Sequence, residues 1–245
     1  MMDFNSFFQE RYSKMYANRL IVISVLILLS TSVFSAFSHV IVINEKTDKT
    51  KAVQEISRFT YNQKHFSVMM DALGKDAIDI IGKEFNEATS VLEKKNLLLM
   101  LRHFKKDAKK HVNDLKKYID SNMGKELSKA EFSCLLISFD TLAQISDDRK
   151  YLFEFAADIL YDQYWENKRL PIVTDGLQDE SIVNMRIKKK ASNVLAWIGG
   201  EDARLVLEDV ANYEESLGNN KLSFALRSQS NLIKENGSLE AMELK

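Results

Sequence analysis

One proline, Pro171, and eight glycines in 245 residues leave too few turn-formers for an all-β chain, so helices are expected. A single cysteine, Cys134, cannot close an internal disulfide. That excludes a disulfide-stapled fold but fixes no compartment, because many extracytoplasmic proteins also lack disulfides. Its apolar surroundings, FSCLLISF, point to a core thiol rather than a reactive one. The formal net charge of −1 gives no global attraction to nucleic acid. The chain has no glycine loop ending in Lys-Ser/Thr, no Gly-x-Ser-x-Gly elbow and no paired-cysteine metal site. No catalytic residue, metal ligand or cofactor is therefore assigned, and the chain is not expected to be an enzyme.

What the sequence does contain begins with an uncharged apolar run. Residues 20–43 read LIVISVLILLSTSVFSAFSHVIVI, without Asp, Glu, Lys or Arg. A helix needs roughly 20 such residues to cross the hydrocarbon core of a bilayer. The serine and threonine hydroxyls can bond back to the helix backbone and are tolerated there. The alternative is a signal peptide cut after the small residues around 36–38. Continuation of the apolar run through Val40–Ile43 and a long 19-residue segment before Leu20 favour a retained single-pass transmembrane helix. Residues 1–19 place Phe4, Phe7, Phe8, Tyr12, Met15 and Tyr16 at helical spacing on one face, a pattern suited to the headgroup layer. Basic residues flank the span almost evenly. A long following domain can be translocated whatever its charges, so the main domain is placed on the extracytoplasmic side.

Beyond the span, 44–64 reads as a charged linker with a first short helix, 65–236 as a helical domain and 237–245 as a tail. The helical period is clear. Phe132, Leu135, Leu136, Phe139, Leu142 and Ala143 follow the i, i+3, i+4, i+7 template. So do Leu152, Phe155, Ala156, Ile159 and Leu160; Ile187, Ala191, Val194, Leu195 and Ile198; and Ala203, Val206, Leu207, Val210 and Ala211. Ser90 with Glu93, and Ser128 with Glu131, have capping-box spacing ahead of apolar runs.

Four breaks recur, in 72–81, 101–112, 142–153 and 195–207. Each ends one apolar helix, crosses a few polar residues with an aspartate and starts another. Gly199 and Gly200 can take the positive φ that ends a helix, and Asp202 can sit near the next N-terminus. Taking Ala77, Ala108, Arg149 and Ala203 as markers, the intervals are 31, 41 and 54 residues. The longest contains the extra stretch 166–179. Periods of about 30–47 residues are the signature of stacked helical pairs.

Over 191–233 the chain resembles HEAT-type repeats, on Ala191, Leu195, Ile198-Gly199, Asp202-Ala203, Leu207, Ala225, Leu226 and Arg227. Over 65–165 the glycine pair gives way to Lys105-Lys106 or Ser146-Asp147, which leaves the repeat count open. The resemblance implies an all-α fold, a HEAT-like α-solenoid of helical hairpins behind a single transmembrane helix. It also implies a scaffold that binds protein rather than an enzyme. A helix at 221–235 would cap the stack.

Candidate interaction residues come from two basic clusters and one aromatic one. Residues 94–117 hold nine Lys or Arg, among them Lys105, Lys106, Lys109 and Lys110. A second cluster is Arg186, Lys188, Lys189 and Lys190. If these converge they could attract an acidic protein, anionic headgroups or nucleic acid. Scarce aromatics make nucleic acid the least suited of the three. Tyr161, Tyr164 and Trp165 precede the 166–179 stretch and could form a recognition patch. His103, Asp107 and His111 have the spacing of a zinc set on a continuous helix, but the expected break near 105 and the neighbouring lysines oppose it. The expectation is a membrane-anchored helical-repeat scaffold that presents a protein-binding surface near the bilayer, with an envelope complex as a setting that suits it. Its alternatives are an accessory factor or enzyme with a dispersed site, and an electrostatic adaptor acting through 94–117.

Overall fold

A computed structural model describes residues 43–44, 46–166, 168–175 and 179–243. The transmembrane expectation for 20–43 and the aromatic face of 1–19 lie, Ile43 excepted, outside the described residues. Among the described residues no helix is long and apolar enough to cross a membrane.

Residues 43–245 form one compact, almost wholly helical unit. Its α-helices are α1 (Lys49–Ser57), α2 (Gln63–Leu73), α3 (Ile78–Glu87), α4 (Val91–His103), α5 (Val112–Asn122) and α6 (Lys129–Ile145). They continue as α7 (Arg149–Leu160), α8 (Glu180–Ile198), α9 (Glu201–Ser216), α10 (Asn220–Asn236) and α11 (Leu239–Glu243). Short 3-10 turns occupy Lys75–Ala77, Lys105–His111 and Gln163–Glu166.

Four alternate helices pair with their successors: α3 with α4, α5 with α6, α7 with α8 and α9 with α10. The second members then pack in succession, α4 on α6, α6 on α8 and α8 on α10. Of the four expected breaks, the first leads into the first pair and the other three are the connections between pairs. They fall at Gly74–Ala77, 104–111, 146–148 and Gly199–Gly200. Each expected apolar stripe is buried, with Val206 the partly exposed exception. Helix α6 is enclosed by α4, α5 and α8, so its middle is buried nearly all round. Its buried hydroxyls are satisfied locally, Ser138 donating to Leu135 O and Thr141 to Ile137 O.

Local chemistry sets the ends. The capping box at Ser128 and Glu131 forms in full. Ser90 is also an N-cap residue, yet its hydroxyl makes no cap bond, and Glu93 turns instead to Arg58 at 3.3 Å. Asp148, the second aspartate of its turn, caps α7 by accepting from Tyr151 N. Gly199 is required twice over. Its φ is +67°, and a Cβ there would lie 2.1 Å from the Gly237 carbonyl oxygen. Gly200, at φ +91°, faces open space.

The first short helix expected within 44–64 is α1, and it joins the helical body. Helix α1 packs on α3 and α4 through Ala52, Val53 and Ile56, and α2 already begins at Gln63. Residues 239–243 form α11, which packs against α8 and α10. Part of the 166–179 stretch is tied to the helical body. Ile172–Val173 pairs in parallel with Glu126–Leu127, and Asp175 accepts from the Lys129 amide. A ladder of two residues is too short to leave an alternating pattern in the sequence.

Candidate binding cleft and charge ladder

The connections between pairs are laced by exposed ion pairs. Lys49 reaches Asp76 at 2.6 Å, Lys75 reaches Asp107 at 2.8 Å, and Lys110 bonds Asp79. Lys109 meets Asp147 at 2.8 Å, Lys106 meets Glu240 at 2.5 Å and Lys105 meets Glu243 at 3.0 Å. Arg149 joins Glu240 to the Ile198 carbonyl. The four candidate lysines are therefore paired rather than an open basic patch, Lys109 and Lys110 with the neighbouring repeats and Lys105 and Lys106 with α11. Lys94 and Lys116 of the same run lie over aromatic rings, Lys116 with its Nζ 3.2 Å from the Tyr151 centroid. The hydrogen bond to Lys49 holds the Asp76 carboxyl below its usual range; Lys110 does so for Asp79, and Lys109 for Asp147. Being exposed and screened by solvent, each of these pairs contributes little on its own.

The three residues with zinc-set spacing go separate ways. His103 faces Asp71 at 3.0 Å and Asp107 pairs with Lys75. The His111 ring is buried against Gly82, where a Cβ would sit 1.9 Å from it, and its Nδ1 meets Asp114 at 2.9 Å. The helix break at Phe104–Lys105 turns these side chains in different directions; Lys105 itself adopts φ +47°.

The second basic cluster is divided by helix rotation. Arg186 lies over the Phe132 ring and Lys190 meets Asp140 at 2.5 Å, both turned to α6. Lys189 is partly exposed. Lys188, offered as an interaction residue, is instead buried: its side chain is 4% exposed. Its Nζ donates to Glu214 Oε1 at 2.7 Å and to Asp162 Oδ2 at 2.8 Å. Burial alone would pull this ammonium down, but the bonds to Asp162 and Glu214 outweigh that and hold it above its usual value. It is thus a poor nucleophile at neutral pH. Of the aromatic candidates, Tyr164 donates to Asp120 Oδ1 at 2.7 Å and meets Phe155 edge-on. Burial and that carboxylate push its phenol well up. The side chain of Trp165 lies outside the description.

Lys188 forms the floor of a cleft of about 530 Å³. Asp162, just past the end of α7, Asn184 and Lys188 of α8, Glu214 of α9 and Asn219 of the α9–α10 turn form its floor, and Ser181, Asn220 and Lys221 add to its polar lining. Asp162 adopts φ +61°, a left-handed conformation that aspartate tolerates better than most residues. It aims one carboxylate oxygen at Lys188 and the other, at 3.4 Å, at the Asn184 amide nitrogen. Glu214 Oε2 accepts from Asn219 at 2.7 Å. Around this floor stand three exposed apolar side chains, Ile182, Tyr213 and Leu217, at 43%, 58% and 57% exposure.

Sequence reasoning missed Asp162, Asn184, Glu214 and Asn219 as a site. One signal was available. Lys188 lies three residues before Ala191 and seven before Leu195, while Glu214 lies seven after Leu207 and four after Val210. Both occupy the apolar face of their helices. A lysine and a glutamate in core register on neighbouring helices announce a buried pair.

Comparison of the chain with protein-family models, with curated proteins and with solved structures finds no match.

Proposed function

We propose that the chain is a membrane-tethered, HEAT-like α-solenoid scaffold whose 43–243 body offers a protein-binding surface close to a bilayer. The uncharged stretch 20–43 is long enough for a single span. Succession of α4, α6, α8 and α10, each paired with the helix before it, supports the solenoid reading. The observation that carries the binding role is the cleft. Its polar floor is surrounded by exposed Ile182, Tyr213 and Leu217, and apolar side chains grouped around a concave site are typical of a recognition surface. Commitment of Lys105, Lys106, Lys109 and Lys110 to ion pairs weighs against an electrostatic adaptor acting through 94–117.

Affinity capture with the full-length chain in mild detergent tests the reading. A stoichiometric protein partner should be recovered, and it should be lost with Tyr213→Ser or Leu217→Ser. Recovery of no partner would defeat the scaffold, and release of the chain from vesicles by alkaline carbonate would defeat the tether. Protease protection in intact and opened cells is expected to place the body on the extracytoplasmic side.

A further inference from the structure

The polar floor of the cleft is rich in hydrogen-bond acceptors. Two carboxylates, Asp162 and Glu214, face one ammonium, Lys188, whose charge is already engaged by both. Lys221 stands exposed at the α10 end. Asn184 has an amide nitrogen turned to Asp162 Oδ1, and reversal of that amide would set two oxygens against each other. The orientation is thereby fixed, and it leaves Asn184 Oδ1 buried with no hydrogen-bond partner. A buried acceptor in that condition costs free energy until a donor reaches it. Beside it, the Asp162 side chain is 45% exposed and bonds Asn184 only at 3.4 Å, so its Oδ1 is open to a stronger donor.

We propose that this cleft takes an arginine side chain, flanked by apolar residues, from an extended segment of a protein partner. The inference rests on the scaffold reading and adds the chemistry of what is bound. A guanidinium supplies several N–H donors in a planar fork, and its charge suits the open Asp162 carboxylate oxygen. One edge of the fork would meet Asp162 Oδ1, and a small turn of the Asn184 side chain would bring its buried Oδ1 to the other. Residues on either side of the arginine would cover Ile182, Tyr213 and Leu217. A volume of about 530 Å³ accommodates such a segment.

The test uses the full-length chain with labelled Ile and Met methyls in mild detergent. The probes are N-acetyl-Leu-Arg-Leu-amide and the same peptide with neutral citrulline replacing arginine. The arginine peptide should shift the Ile182 and Met185 methyl signals in a saturable way, leaving buried Met100 unmoved. The citrulline peptide should bind at least tenfold more weakly. Asp162→Asn, which suits the left-handed backbone, should abolish that preference. Should Asp162→Asn disturb the core signals, Tyr213→Ser replaces it and should weaken both peptides. Equal response to the two peptides, or shifts confined to other methyls, would overturn the proposal. A partner captured on another face would then leave the scaffold standing without this cleft, whereas peptide binding with no captured partner would leave the cleft and remove the scaffold.

Discussion

Removal of the Lys188 ammonium is the most informative single perturbation. The side chains of Lys188 and Glu214 are 4% and 3% exposed, so the pair is cut off from water, whereas Asp162 is 45% exposed and can be hydrated. In Lys188→Met the Glu214 carboxylate keeps only the Asn219 amide as a described partner. Breaking a buried pair from one side costs about 3–5 kcal/mol, a large share of the roughly 5–15 kcal/mol that holds a domain together. For a body of this size that corresponds to a melting temperature lower by about 6–20 °C. The double variant Lys188→Met, Glu214→Leu removes both charges and should recover most of the loss, since apolar replacement of a buried pair is often close to neutral. Asp162→Asn removes a hydrated partner and should cost no more than about 1 kcal/mol. Thermal melting followed by circular dichroism on the four proteins reads all of this. A Lys188→Met protein melting with the parent, or a double variant no more stable than the single one, would refute the argument.

Gly199→Ala should destabilise by several kcal/mol and Gly200→Ala by only about 1, since both have positive φ but only the first would collide with the Gly237 carbonyl. Equal urea midpoints for the two variants would contradict this. Cys134 is buried and burial pushes its thiol up, so a disulfide-exchange reagent should label it slowly in the native protein and rapidly in urea. Rapid native labelling would mean the α5–α6 pair opens readily. The carboxyls of Asp76, Asp79 and Asp147 titrate lower in the folded chain than in the unfolded one. Their stabilisation is therefore complete above the ordinary carboxylate value of about 4 and disappears as pH falls through the depressed folded values. Lys109 is shifted upward by Asp147, so its part is lost only as pH rises past its usual value. Denaturation midpoints should thus fall on acidification, less so in a Lys109→Met, Lys110→Met variant and in high salt. An unchanged acid limb in that variant would remove the ladder from the account of stability.

Much of the body could be read from the chain without coordinates. Phe132 to Ala143, Leu152 to Leu160 and Ile187 to Ile198 carry a 3.6-residue period, and the breaks at 104–111, 146–148 and Gly199–Gly200 carry their own local chemistry. Period and capping act within a few residues, so a linear pattern records them. The destinations of the charges were not legible in the same way. Lys105 pairs with Glu243, 138 residues away, and Lys109 with Asp147, 38 away. Nothing local at either end distinguishes such a lysine from one on a solvated face.

The clearest case is the run of cations in α8. As a string, Arg186, Lys188, Lys189 and Lys190 are one basic cluster; on a helix, each successive residue turns by about 100°. Arg186 and Lys190 therefore meet α6 while Lys188 enters the core beside α9. Helix boundaries and buried faces follow from neighbours in the chain and were already written there. Which cation is a rung, which is a floor and where a cleft opens depended on how four helical pairs stack, and stacking joins residues that no local pattern connects.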